Sequence, residues 1–233
     1  MNVLVVGAHP DDSELCCFGT LARCVDRGDS VVVCSVTNGN QGHATIEPER
    51  LRMVRMAESA KAAAVIGASY CTLDVDDMEL DATDKTVRLR MTELIRSVKP
   101  DLVITHDPDD YHPDHNATSE LVMYCLVQAT LTHCKTESPA IDKIMHLYHM
   151  DKVGGGVFTP TEFVDISDTY EKKEKALACH ASQIDYLEKR GHLHLMHAMK
   201  VLAEFRGIQS GCRFAEGFRP SSRRPVPTRR MFP

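Results

Sequence analysis

The chain has 233 residues, 43% of them apolar, and a formal net charge of −6, which fits one α/β domain and argues against nucleic acid as a partner. No apolar run approaches the roughly 18 residues of a membrane span, so no membrane partner is expected. Nine scattered cysteines, several inside strand or helix patterns (Cys34, Cys71, Cys125), read as reduced thiols, and Met1-Asn2 leads straight into a strand with no export-type segment; both point to the cytoplasm.

Val3–Val6 is the first strand, and His9-Pro10-Asp11-Asp12-Ser13-Glu14 follows it. Leu15 to about Arg27 reads as a helix closed by Gly28. Ser30–Val36 is a second strand, ending in the turn-rich Thr37-Asn38-Gly39-Asn40-Gln41-Gly42-His43. A long helix has Pro48 in its first turn, with Glu47 and Glu49 placed for the dipole, and runs to about Ile66. Tyr70–Leu73 is a short strand. Thr83 or Asp84 caps a helix that reaches Val98 and stops at Lys99-Pro100. Leu102–Thr105 is the next strand, and Asp110-Tyr111-His112-Pro113-Asp114-His115 comes a few residues later. The segment His115–Leu131 is helical. Ile144–Met150 and Glu162–Ile166 are strand-like, separated by Gly154-Gly155-Gly156. Asp168 with Glu171 is a capping-box pattern opening a helix to about Leu187, and a last helix spans about Arg190 to Arg206 and ends at Gly207.

Strands alternating with helices point to a Rossmann-like three-layer αβα fold with a mostly parallel sheet, one domain over residues 1–212. Residues 213–233 hold six arginines, the single acid Glu216, and Pro220, Pro225, Pro227 and Pro233. They read as a basic tail of net charge +5 on a body of −11. A solvated end is the plain reading; lying on an acidic face of a neighbour, in a homo-oligomer, is the other.

The two His/Asp clusters each stand past the end of a parallel strand, and those ends share one edge of an open sheet. A hydrolytic zinc centre needs about three protein ligands, a water, and a base within hydrogen-bond reach. His9, Asp12 and His115 can supply the ligands and Asp11 the base. His112 can face the substrate and stabilise an oxyanion, while Asp114 can orient an imidazole. Either cluster alone reads as structural, Asp11-Asp12 as a helix N-cap and His-Pro-Asp-His as a hydrated loop. Together they favour a metal site. Such a donor set accepts Fe²⁺ as well as Zn²⁺.

With both motifs in place, the chain resembles the PIG-L/LmbE-type family of zinc-dependent N-acetylglucosaminyl deacetylases. The resemblance extends to Thr37-Asn38-Gly39, Arg55 and Glu58, Ala178-Cys179-His180-Ala181-Ser182-Gln183, and Ala215-Glu216-Gly217-Phe218. It implies hydrolysis of the acetamide of a small-molecule N-acetylated amino sugar or its conjugate. Zinc would sit on His9, Asp12 and His115, with Asp11 as general base and His112 as general acid or oxyanion group. Arg55 matches the family's substrate-contacting arginine. Tyr111 and His180 are counted beside it at the pocket edge. The family's mobile tyrosine stands two residues before the second-motif histidine and Tyr111 only one, so that role is not transferred. The usual glycine-rich helix start is also replaced by Cys16-Cys17-Phe18-Gly19-Thr20-Leu21, keeping only Gly19.

Two rival readings stay open: a metal-dependent phosphoesterase, and a non-catalytic metal-stabilised binding protein. Weaker signals take ordinary readings. His192, His194 and His197 are surface residues before they are an accessory metal site, and His106 supports the site or the core. Gly154–Gly156, lacking a P-loop lysine, is a lid or hairpin.

Overall fold

The fold is described from a computed structural model that covers residues 1–191 and 194–233. In β1 (Asn2–Gly7), Val3 and Val5 enter one apolar cluster while Leu4 and Val6 enter another. Alternate residues of a pleated strand face opposite ways, and all four are fully buried, as expected of a strand covered on both sides. The parallel strands β2 (Ser30–Thr37), β3 (Ser69–Val75), β4 (Leu102–Thr105) and β5 (His146–Met150) extend the sheet. Strand β6 (Glu162–Asp165) lies at the far edge, and β7 (Ala215–Pro220) runs antiparallel between β5 and β6.

The order is β3-β2-β1-β4-β5-β7-β6. From β1 the chain builds outward to β3, then crosses back to place β4 on the other side of β1. The direction of winding reverses between β1 and β4, where open α/β sheets hold their ligands. Both His/Asp motifs leave the sheet there.

Helices α1 (Asp12–Cys16), α2 (Phe18–Asp26), α3 (Pro48–Ile66), α6 (Tyr170–Leu177) and α8 (Leu195–Ser210) give residues to the cluster on one face. Helices α4 (Lys85–Val98) and α5 (Pro113–Gln128) give theirs to the other. A short α7 (Ala181–Lys189) packs beside α3 and α8. This is the three-layer αβα arrangement that the alternation of elements implies. Among the described residues, no helix is long and apolar enough to cross a membrane.

Four expectations are corrected. The first helix breaks at Cys17 into α1 and α2, because the Glu216 carboxylate accepts the Gly19 and Thr20 amides at 3.0 and 2.7 Å and caps a new helix start. The capping box at Asp168 does not form: Thr169 takes the N-cap position, and its hydroxyl donates to the Gly19 carbonyl at 2.8 Å. The helix expected to reach Leu187 stops at Leu177, and α7 begins afresh where Glu58 accepts from the Ser182 amide and hydroxyl at 2.9 and 2.6 Å. The last helix continues through Gly207 to Ser210, with Gly211 as its left-handed cap. A side chain at Gly207 would meet the Arg213 carbonyl at 2.6 Å, so that glycine serves a close approach and not a helix end.

The basic tail is a further correction. Residues 213–233 include β7, and Met231 and Phe232 are buried, with Phe232 stacked on Phe218. A boundary at residue 212 would cut the sheet. Glu216, the one acid of that segment, is buried against Lys173, which also donates to the Leu15 carbonyl at 2.8 Å.

Candidate active site

The loop after β1, the loop after β4 and the start of α5 bring four imidazoles (His9, His106, His112, His115) and four carboxylates (Asp11, Asp12, Asp110, Asp114) together. Asp114 Oδ2 lies 3.0 Å from His9 Nε2 and also accepts the Met78 amide at 2.9 Å. Holding His9 by Nε2 turns its Nδ1 toward Asp12, 3.5 Å away. His115 is arranged the other way round: its Nδ1 lies 3.1 Å from Asp110, and its Nε2 faces Asp12 Oδ1 at 3.5 Å. A carboxylate behind each imidazole fixes the ring and raises the basicity of the nitrogen in front. Burial opposes charge on both rings, but Asp114 and Asp12 lift His9 to about 9, and Asp12 and Asp110 lift His115 to about 10. So concentrated a negative field suits a cation.

Two groups of three potential ligands converge within 4.8 Å: His9, His112 and His115, and Asp12, His106 and His115. Neither is the expected trio of His9, Asp12 and His115, which is divided between them. The hydrogen bonds separate the candidates. His106 Nε2 accepts the Ala8 amide at 2.9 Å, and burial, then the charge of His115, lowers that imidazole to about 4. Its lone pair is already used inside the protein. His112 is the N-cap of α5, its Nδ1 accepting the Asp114 amide at 3.2 Å. Burial, with His9 and His115 nearby, lowers its pKa, and with Nδ1 accepting the Asp114 amide it is Nε2 that can donate.

Asp11 is the N-cap of α1 with φ 108°, a strained conformation for a residue with a Cβ. Burial raises its carboxyl pKa, and Arg55 opposes the rise from 3.1 Å. Arg55 itself is 3% exposed. Its other bonds go to the carbonyls of Pro10 and Gly39. Gly39 has φ 78°, and any side chain there would strike the Arg55 guanidinium at 2.6 Å, which explains the Thr37-Asn38-Gly39 turn. Arg55 thus holds the loop bearing Asp11, and it also lines the cavity into which a substrate would enter.

These groups line a cavity of about 390 Å³. Tyr111 is at its mouth, 64% exposed, with Gly154 and Gly155 against its ring. His180 is fully buried, 3.1 Å from Glu14 Oε1, and is not part of the cavity lining. His194 and His197 lie together on a separate apolar groove along α8, and His192 falls outside the described residues. Asp77, which no motif marked, accepts the Gly39 and Gln41 amides at 2.9 and 3.2 Å and shapes the cavity wall. Gln41 and Gln183 line the same space, and their sequence neighbourhood was the only available signal.

A hydrolase-type His/Asp centre at the switch point of an αβα sheet is thus the class that the fold and site define. The family model for PIG-L, described as GlcNAc-PI de-N-acetylase, matches residues 4–126, just over half of the chain. The diacetylchitobiose deacetylase of Thermococcus kodakarensis is 31% identical over 227 residues, covering 94% of this chain and 82% of that protein. The chain belongs to the PIG-L family. The solved N,N'-diacetylchitobiose deacetylase of Pyrococcus horikoshii superposes with a TM-score of 0.82 at 27% identity, over 95% of this chain and 84% of that one. The 4-carboxy-2-hydroxymuconate hydratase GalB of Pseudomonas putida gives 0.85 at 24% identity, over 99% of this chain and all of its own. That second likeness is one of fold.

Proposed function

We propose that this protein removes the N-acetyl group from an N-acetylglucosamine-type sugar or conjugate, releasing acetate. The observation that supports it most directly is Asp11: a buried carboxylate beside Asp12, held by an arginine and open to the cavity. A purely structural metal site is closed and has no need of such a base. The free thiols suit a reducing cytoplasm.

The donor set fits a divalent metal. We assign His9, Asp12 and His115 as ligands of Zn²⁺, with Fe²⁺ as the alternative, because His9 Nδ1 and His115 Nε2 both face the Asp12 carboxylate at 3.5 Å, while His106 Nε2 is taken by the Ala8 amide and His112 Nε2 is kept for the substrate. When bound, such a metal lowers the pKa of water toward neutrality and polarises a carbonyl. Asp11 takes the proton of the attacking water. His112 donates from Nε2 to the oxygen that gains charge, the oxyanion role of the two that the resemblance implies. Asp11 then returns its proton to the leaving nitrogen, and Asp114 keeps His9 in register throughout.

The phosphoesterase reading fits less well. Among the described residues the cavity has Arg55 and Lys152 as its Lys and Arg cations, and both donate to backbone carbonyls. Against them stand Asp11, Asp12, Asp77, Asp110 and Asp151. Beyond the metal and its imidazoles such a lining offers a phosphate no free Lys or Arg among the described residues, whereas a neutral sugar hydroxyl finds acceptors. Chelation is the direct test of metal dependence. Acetate release should vanish in the metal-depleted protein and return with one equivalent of Zn²⁺ or Fe²⁺, the more active metal identifying the native one. Full activity after depletion would remove the metal from the account.

A further inference from the structure

Two spaces lie back to back behind α1. The catalytic cavity and a small internal void of about 10 Å³ share the lining residues Leu15, Cys16 and Asp151. The void is closed on its far side by Met199, Leu202 and Ala203 of α8 and Ala215 at the start of β7, and is flanked by the Lys173–Glu216 and Arg206–Asp151 ion pairs. Its volume is about one water-sized sphere, so the cavity stops at Cys16.

The position of Cys16 relates it to the reacting bond. Cys16 follows Asp12 by four residues on α1, one helical turn on, and so lies on the same helix face. Leu15 donates its amide to the Asp11 carbonyl at 3.0 Å. Both residues line the cavity beside Asp11 and Asp12, the base and a metal ligand next to which the amide carbonyl must sit. The first carbon of the acyl chain is one bond, roughly 1.5 Å, from that carbonyl carbon, so it meets whatever surface is adjacent. Leu15 and Cys16 are the apolar surface offered by the helix that follows the base. Cys16 is 7% exposed and lines both spaces.

We propose that Cys16 is a specificity-determining residue that closes the acyl end of the cavity and restricts the acyl group to acetyl. With glycine at this position the cavity and the void merge, and a longer acyl chain gains the space toward Met199 and Ala203. This inference rests on the deacetylase reading, and its test separates the two.

The full-length, metal-loaded protein is compared with Cys16→Gly and Cys16→Val on the N-acetyl and N-butyryl forms of the best sugar substrate. Binding of acetate and butyrate is measured by calorimetry on the same samples. The wild type should favour N-acetyl over N-butyryl by at least about tenfold in kcat/KM, within the range that methylenes in an apolar pocket confer. Cys16→Gly should narrow that ratio by about tenfold, through a gain on the butyryl substrate, and Cys16→Val should widen it. The acetate-to-butyrate binding ratio should move in the same directions. Ratios unchanged within about twofold in both variants overturn the proposal. If the wild type releases no acyl group, the deacetylase reading falls by itself; the binding ratios then decide whether Cys16 is the partition.

Discussion

Asp11 combines a φ of 108°, burial, and a guanidinium 3.1 Å away. Strain of that kind costs roughly 1–3 kcal/mol and persists only where the surroundings enforce it. Here the enforcing group is Arg55, locked between the Pro10 and Gly39 carbonyls. The chemical types at this site were legible in the sequence, because His9, Asp11, Asp12, His112, Asp114 and His115 occur in two short runs after strands. The partners were not. That Arg55 serves Asp11, and that His112 is spent as an N-cap at Nδ1, depends on loops that meet only in the folded chain. Arg55→Lys distinguishes the two roles. If Arg55 positions the base, kcat should fall on the order of 10²-fold with KM little changed, the cost of a misplaced catalytic group. A raised KM at unchanged kcat would return Arg55 to the substrate-contacting role that the motif suggested.

At the scale of elements, the strands and the long helices were readable from periodicity, and Leu102–Thr105 and Pro48 to Ile66 match the observed β4 and α3. The errors fall where one element caps another from a distance. Glu216 on β7 caps α2, and Glu58 on α3 caps α7. In both cases a helix that looks continuous in sequence is broken by a carboxylate that lies 124 or more residues away along the chain. Glu216 also pairs with the buried Lys173. Glu216→Ala leaves that ammonium and two helix-terminal amides without their partner, so a loss of roughly 3–5 kcal/mol is expected, the range for breaking a buried pair. Denaturant titration checks it. A midpoint shift corresponding to less than about 1 kcal/mol, the value of an exposed pair, would show that the cap has little weight.

For the whole molecule, the winding reversal between β1 and β4 is what converts two distant motifs into one site. The alternation of strands and helices was enough to expect this. The C-terminal segment was not legible: β7 reads Ala-Glu-Gly-Phe-Arg-Pro, with no apolar run to mark a strand, and its pairing with β5 and β6 is not local. A chain ending at residue 212 should lack its β5–β7–β6 connection and lose cooperative unfolding. A truncated protein that melts like the full chain would restore the tail reading.

If Asp11 drives hydrolysis of an N-acetyl group, acetate release depends on its carboxylate. Acetate release is followed from a panel of N-acetylglucosaminides, with metal-loaded protein and an Asp11→Asn control of equal metal content. The expected result is release by the native protein and a fall of roughly 10²–10⁴-fold in the control, as for loss of a general base. Release that persists in Asp11→Asn, or no release from any member of the panel by folded, metal-loaded protein, would contradict it.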